Sequence, residues 1–300
     1  MTSPERLKGI DAFVATADSG GFTAAAGRLK ITNSAVSKSV ARLEQRLGVR
    51  LFNRTTRTLS LTDAGTIFYR TCTKILADLE EAEAVMGAER LEPVGKLRID
   101  LPASYGRLHV LPLLLQFVTD YPGVKPYITF SDHFVDLVEE DIDLVVRFGG
   151  PDVLPAALGH RHLASEKLIF CASPAYLERK GQVVSLADLD RHELIVFKKS
   201  DGPISWLFKD TVDGPTTKRI VDGRIAFGNA EAEVAAVVAG CGIAQLPTWL
   251  VGHELQSGEI VEVLPGHSTA GQQLSIQWQK SRQALPKISL LIDLLAAGLR

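Results

Sequence analysis

The charge along the first ninety residues reverses sign abruptly, and that reversal limits what the chain can be. Between Phe22 and Thr62 eight basic residues, Arg28, Lys30, Lys38, Arg42, Arg46, Arg50, Arg54 and Arg57, face the single acid Glu44. Between Asp63 and Glu92 seven acids outnumber three bases. The overall balance of −2 conceals this asymmetry. A small basic head suits a polyanionic partner such as nucleic acid, and the acidic segment behind it does not.

The head is patterned as helices. Apolar residues three and four apart at Ile10, Phe13, Val14 and Ala17 predict a helix over 7–19, ended by Gly20-Gly21. Thr23 is expected to cap a short second helix over 24–29, whose alanines permit close approach of a neighbour. Thr32 or Asn33 then caps a third helix to Leu47, where Gly48 supplies the left-handed terminating residue. Its inward stripe is Val36, Val40, Leu43 and Leu47, which leaves Asn33, Ser34, Ser37, Lys38, Ala41 and Arg42 facing out.

In a helix-turn-helix the second helix of the pair enters the major groove, where small polar and basic side chains bond base edges and phosphates. A solvated amphipathic helix shows the same pattern, so the segment that follows decides. Leu51-Phe52 and Leu59 with Leu61 read as two short strands, and the turn between them carries Arg54, Thr55 and Arg57 without an acid. That is a wing, and an arginine at its tip can enter a narrowed minor groove. The residues expected to touch DNA are Thr32, Asn33, Ser34, Ser37, Lys38, Arg42, Arg54, Thr55 and Arg57.

Thr62 or Asp63 can cap a long helix over 63–89. Phe68, Cys72, Ile75, Leu79, Ala82 and Met86 recur along it at steps of four and three, a heptad seam, opposite a face crowded with Asp78, Glu80, Glu81, Glu83 and Glu89. Dimerisation through this seam is the expectation. Pro93-Val94-Gly95 is a hinge, after which strands and helices alternate as in an α/β domain. Strands are expected over 97–101, 126–130, 144–148, 167–172, 194–197, 219–225, 243–245, 260–263 and 273–279. Helices are expected over 106–121, 135–140, 175–179, 230–239 and 286–299.

Several function classes fall away. The longest apolar patch, 110–118, is broken by Pro112 and Gln116 and is far too short to span a bilayer. The N-terminus, with Glu5 and Asp11, does not read as a secretory signal, which points to the cytoplasm. Cys72, Cys171 and Cys241 are widely spaced and form no CxxC, so they read as reduced, packed thiols, with a redox pair left open. His160 and His162 lack companions for a tetrahedral metal site, and no metal or cofactor is expected. An enzyme built on the α/β domain is the alternative function, yet the chain has no GxSxG, GxxxxGK, HExxH or dinucleotide fingerprint. A constitutive architectural DNA binder would leave some two hundred residues without a role.

Residues 13–83 resemble the winged helix-turn-helix and linker helix of the LysR-type transcriptional regulators. The resemblance is carried by Phe22-Thr23-Ala24-Ala25-Ala26, Asn33-Ser34-Ala35-Val36-Ser37 and the passage from Leu43-Glu44-Gln45-Arg46-Leu47 through Arg54. Asn33-Ser34 stands where many members carry Gln-Pro, so the base preference of this chain is its own. Residues 95–300 resemble the effector domain of the same family, most clearly at Asp141-Ile142-Asp143-Leu144, Cys171-Ala172-Ser173-Pro174 and Ala239-Gly240-Cys241-Gly242-Ile243.

The resemblance implies an α/β fold with an N-terminal all-α winged helix-turn-helix (1–62), a linker helix (63–92) and a two-lobed effector domain like periplasmic binding proteins. Lobe 1 would take 95–164 plus 266–300, and lobe 2 would take 165–265. It also implies a homodimer assembling to a tetramer on double-stranded promoter DNA, a small-molecule effector that alters oligomer geometry, and contact with RNA polymerase. Ligands of open parallel sheets sit at the carboxyl ends of strands. That rule, with the resembling fold, selects Ser104, Ser131, Phe148, Ser165 at the crossover and Asn229, although Ser and Asn there read equally as helix caps. Arg147 could clamp an anion or pair with Asp132 or Asp143, and Trp206 with Phe208 reads as a packed hairpin.

Overall fold

The computed structural model describes residues 7–54, 59–86, 92–151, 153–198, 204–210 and 214–299, without the side chains of 54, 77, 78 and 80–86. The chain divides into two units, Met1–Arg90 and Leu91–Arg300.

In the first unit, helices α1 (Ile10–Asp18), α2 (Phe22–Leu29) and α3 (Asn33–Leu47) pack on a two-stranded hairpin, β1 (Phe52–Arg54) with β2 (Leu59–Leu61), and on the long α4 (Asp63–Met86). Phe13 is the hub. It is fully buried, with ring centroids 5.3 Å from Phe52 and 5.5 Å from Phe68, and burial of such a ring contributes roughly 1.5–3 kcal/mol. Helix α3 is capped by Thr32, whose hydroxyl accepts from the Ala35 amide at 3.2 Å, and it ends at Gly48 with φ 72°. Val36, Val40 and Leu43 are buried as the stripe requires, but Leu47 at the helix end is exposed.

Two further points depart from expectation. Helix α2 starts at Phe22 with Gly21 as its cap, two residues earlier than a Thr23 cap would have given. The acid of the basic head, Glu44, is turned to the backbone: its Oε1 accepts from the Leu51 amide at 2.8 Å and the Phe52 amide at 3.2 Å, tying α3 to the hairpin.

Helix α4 is capped by Thr62, whose hydroxyl accepts from the Gly65 amide at 2.9 Å. A side chain at Gly65 would put its Cβ 2.0 Å from the Leu51 carbonyl oxygen, so only glycine lets α4 pass this close to the strand. The proposed seam is divided. Phe68 packs on Phe13, and Cys72 is buried in the core of this same unit, because the first turns of α4 complete the head rather than facing a partner. Ile75 and Leu79 are 39% and 44% exposed, while the side chains of Ala82 and Met86 lie outside those described.

The second unit is built on strands β3 (Gly95–Leu101), β4 (Val124–Phe130), β5 (Leu144–Phe148), β6 (Leu158–Ala172), β7 (Leu194–Phe197), β10 (Ile225–Phe227), β11 (Ile243–Pro247), β12 (Val261–Val263) and β13 (Thr269–Gln279), with a separate hairpin of β8 (Ser205–Lys209) and β9 (Thr216–Ile220). Its helices are α5 (Ala103–Tyr105), α6 (Leu111–Asp120), α7 (Pro174–Lys180), α8 (Ala230–Val238), α9 (Gly252–Ser257) and α10 (Pro286–Gly298). A π turn, Gly106–Val110, joins α5 to α6, where a single helix was expected over 106–121.

The strand order is β10-β7-β11-β6-β13-β5-β3-β4, with β12 also on β6. Parallel strands β4, β3 and β5 form lobe 1, and parallel β10, β7 and β11 form lobe 2. The long antiparallel pair β6 and β13 connects them, with register shifts between Ala270 and Gln273 and between Leu274 and Ser275. Such bulges sharpen the local twist at the crossover. Lobe 1 buries Leu97, Ile99, Leu114, Ile288 and Leu291, while lobe 2 packs Phe170, Tyr176 and Trp206 on one face and Cys171, Val237 and Leu246 on another.

Three expected elements take a different form. Residues 135–140 make turns rather than a helix: Asp136 Oδ1 accepts from the Val138 amide at 2.8 Å and the Glu139 amide at 3.0 Å, and Asp141 takes φ 55°. A side chain that bonds the backbone ahead of it offers an alternative to helix. The strand expected over 219–225 is two, β9 and β10, divided at Asp222-Gly223. The strand expected to begin at Lys167 begins at Leu158, its polar middle running over the crossover.

Candidate functional site

Helix α3 exposes Asn33, Ser34, Lys38 and Arg42, with Ser37 half-buried. This polar row is partly interlinked. The Asn33 Nδ2 donates to Thr23 Oγ1 on α2 at 2.9 Å, and the Ser37 hydroxyl donates to Asn33 Oδ1 at 3.4 Å. The exposed Thr32 spends its hydroxyl oxygen on the helix cap. Strand pairing of Phe52 with Leu61 and Arg54 with Leu59 sets the base of the wing. The Arg54 side chain and the tip residues Thr55 and Arg57 lie outside those described. Asp18 at the end of α1 accepts from Arg28 at 2.8 Å and from the Tyr69 hydroxyl, so α2 and α4 are tied through one carboxylate. That bond and burial raise the Tyr69 phenol above its ordinary range.

The five residues expected in the effector cleft are placed less uniformly. Ser104 is buried within α5. Ser131 follows β4, and its hydroxyl donates to Asp100 Oδ1 at 2.8 Å; Thr129 donates to Asp100 Oδ2 at 2.7 Å. Asn229 caps α8, its Oδ1 accepting from the Ala232 amide at 2.9 Å, and Ser165 is exposed, 3.5 Å from His162 Nε2. Phe148 lies in an aromatic group that the sequence reading missed. Its ring stacks on Trp249 at 5.6 Å and 10°, and Tyr105 stands edge-on to both. Of the expected cleft residues, Phe148 belongs to this group, and Ser104 is the chain neighbour of Tyr105. His109 closes the group, with Nε2 3.1 Å from the Trp249 carbonyl. The only local signal for Trp249 was a tryptophan just after the β11 strand.

Arg147 pairs with neither expected acid. Its Nη2 lies 3.4 Å from Asp100 Oδ1 and its Nη1 donates to the His133 carbonyl at 3.1 Å, under the Phe134 ring. The reason is register: Asp100 lies opposite Val145 across β3 and β5, and Arg147 shares the face of Val145. Burial holds the Arg147 guanidinium below its ordinary pKa, with Asp100 opposing the shift. Asp132 accepts instead from the Ala103 amide at 3.2 Å, and Asp143 from Arg282. A pocket of about 660 Å³ runs along β3 and β4, lined by Arg98, Asp100, Tyr127, Ser131, His133 and Glu140 among others.

Cys72 and Cys171 are buried thiols pushed up to about 11 and about 12, chiefly by desolvation, while Cys241 is partly exposed. Trp206 and Phe208 are buried in the β8 hairpin, as expected. Among the described residues no group of three or more His, Cys, Asp or Glu side chains could hold a metal ion, and no helix is long and apolar enough to cross a membrane.

A helix-turn-helix with a wing and a two-lobed α/β domain on one chain define a ligand-responsive, DNA-binding transcriptional regulator. Comparison with known proteins gives the family. Residues 7–66 match the bacterial regulatory helix-turn-helix protein, lysR family, and residues 90–300 match the LysR substrate binding domain. The chain is 34% identical over 260 residues to the transcriptional regulator PtxR of Pseudomonas aeruginosa, covering 87% of this chain and 82% of that one. It is 34% identical over 256 residues to CrgA of Neisseria meningitidis serogroup C, covering 85% and 84%. The solved structure of CrgA, a LysR-type transcriptional regulator from Neisseria meningitidis, superposes with a TM-score of 0.61 at 27% identity over 100% of this chain and 99% of that one. Full-length AphB of Vibrio cholerae shares the fold, with a TM-score of 0.62 at 24% identity over 97% and 99%. The chain belongs to the LysR family of transcriptional regulators, and its relatives are regulators rather than enzymes.

Proposed function

We propose that this regulator reads promoter DNA through the exposed row of α3, Asn33, Ser34, Ser37, Lys38 and Arg42, with Thr32 at its start and Arg54, Thr55 and Arg57 supplied by the wing. The observation that carries this is the pairing of a basic, acid-free helix face with a hairpin in one packed unit, the sole acid of α3, Glu44, being turned to the backbone of Leu51 and Phe52. Lys and Arg meet phosphates, and the shorter polar groups reach base edges.

Two copies join through α4. Ile75 and Leu79, exposed on the single chain, continue with Ala82 and Met86 as the seam, while Phe68 and Cys72 anchor the helix to its own head. Dimers assemble to a tetramer in the cytoplasm, where RNA polymerase is the further partner. Residues 1–62, 63–92, 95–164 with 266–300, and 165–265 serve as head, linker, lobe 1 and lobe 2. The effector is a small organic molecule held between the lobes, near Ser104, Phe148 and the Trp249 ring, with Ser131, Ser165 and Asn229 at the margins in the structural roles described above. Footprinting of the full-length protein on the DNA flanking its own gene tests the reading. Protection of a two-half-site region supports it, and uniform coating of any duplex rejects it.

A further inference from the structure

We infer that Thr23, on α2 and outside the recognition helix, is a positioning residue for base selection, acting by orienting the Asn33 carboxamide. The inference rests on the reading of α3 as the helix that meets DNA. Had Thr23 capped α2, its hydroxyl would be occupied by that helix; because Gly21 takes the cap, the hydroxyl is released and sits 2.9 Å from Asn33 Nδ2. At the other end of the same amide, Oδ1 accepts from the Ser37 hydroxyl at 3.4 Å.

A terminal amide torsion is soft, so an Asn at the first position of an exposed helix ordinarily samples a broad range of planes. Base recognition by Asn needs the amide held in the plane of a base edge, with an acceptor and a donor offered together. Thr23 uses one of the two Nδ2 hydrogens and Ser37 one of the two Oδ1 lone pairs, so one donor and one acceptor stay available, in a plane that the two anchors define. The amide meets the groove already ordered, and the entropy of ordering it is not lost on binding. Thr23 touches neither the base nor the backbone in this role. Its contribution is therefore to discrimination and not to general affinity.

The test uses the full-length protein. Wild type, Asn33→Ala, Thr23→Val and Thr23→Ser each select duplexes from a randomised pool, and the enriched sites are measured by anisotropy over a range of salt. Asn33→Ala should relax selectivity at one base pair of each half-site. Thr23→Val, which keeps the shape and removes the hydroxyl, should lose about tenfold in discrimination at that same base pair. It should leave the other positions, the salt slope and the melting temperature unchanged, and Thr23→Ser should restore discrimination. Wild-type selectivity in Thr23→Val overturns the inference. So does a uniform loss of affinity across all sequences at an unchanged salt slope, which would make the neutral Thr23 hydroxyl a phosphate contact, and so does an Asn33→Ala protein that relaxes nowhere. A wild type that enriches no sequence is a different failure, of the DNA-reading function itself, and takes this inference with it.

Discussion

Arg107 of lobe 1 grips Glu231 of lobe 2 with two atoms, its Nε donating to Oε1 at 3.2 Å and its Nη2 bonding Oε2. Arg107 lies in the π turn after Ser104, and Glu231 lies in the first turn of α8. The same turn reaches lobe 2 again through His109 at the Trp249 carbonyl, so one short segment makes both contacts. Single π turns are frequent at functional sites because they re-aim side chains relative to a regular helix.

The Arg107 pair is exposed, 53% and 35%, which places it among ion pairs worth under about 1 kcal/mol and sensitive to salt. It therefore biases lobe closure a few-fold, a range a bound effector can override. In fluorescence transfer between labels on α6 and α7, Glu231→Gln should shift the population toward wider separation, and the exchange Arg107→Glu with Glu231→Arg should restore it. Identical distance distributions in all forms would remove the pair from lobe closure.

Glu233, two residues further along α8, is buried with Oε1 unpaired, and burial pushes its carboxyl up to about 8. The folded chain thus keeps a proton that the unfolded chain releases above its ordinary value of 4.5. Folding takes up a proton between those limits, so stability should fall as pH rises from 4.5 to about 8 and level off above. The total is a few kcal/mol, at about 1.4 kcal/mol for each unit. Urea unfolding at stepped pH should show this decline, and Glu233→Gln should flatten it. An unchanged profile in the variant would assign the dependence to another group.

The division of the α4 stripe gives opposite expectations for its two halves. Leu79→Asp should dissociate the dimer in sedimentation runs while the head keeps its melting temperature. Cys72→Asp should do the reverse, unfolding the head by a few kcal/mol, since an unpaired charge would enter a closed core. A Leu79→Asp protein that stays dimeric through this helix would contradict the seam.

Asp100→Ala should cost about 3–5 kcal/mol because it strands the buried Arg147 guanidinium along with two donor hydroxyls. Ser131→Ala removes only one of those donors, so about 1 kcal/mol is expected. Thermal unfolding of the two variants checks the order. Equal losses would mean that Asp100 does not organise this cluster.

What could be read from the sequence was what repeats locally. The α3 stripe is visible because Val36, Val40 and Leu43 follow the helical period, and the Asn229 cap is visible because it is written next to the helix it starts. What stayed hidden depends on neighbours distant in the chain. Cys72 reads as seam until Phe13 and Phe52 are folded against its helix, and Arg147 reads as an anion clamp or a partner of Asp132 or Asp143 until β3 is laid beside β5. The Asp136 turn competes with helix through a side chain whose geometry no periodicity reports. For the candidate site, the helix face was legible, whereas the Trp249 group draws on residues about 140 positions apart.

The salt dependence of binding tests most directly whether α3 carries the DNA contacts. Full-length wild type and the double variant Lys38→Ala, Arg42→Ala are titrated by anisotropy against the DNA flanking the gene and against a scrambled duplex, from low to high salt. The wild type should prefer its own site by at least about a thousandfold. The double variant should lose about two from the log–log salt slope per head, since each phosphate contact contributes about 0.9. Equal affinity for the two duplexes, or a slope unchanged by removing both cations, would contradict the account.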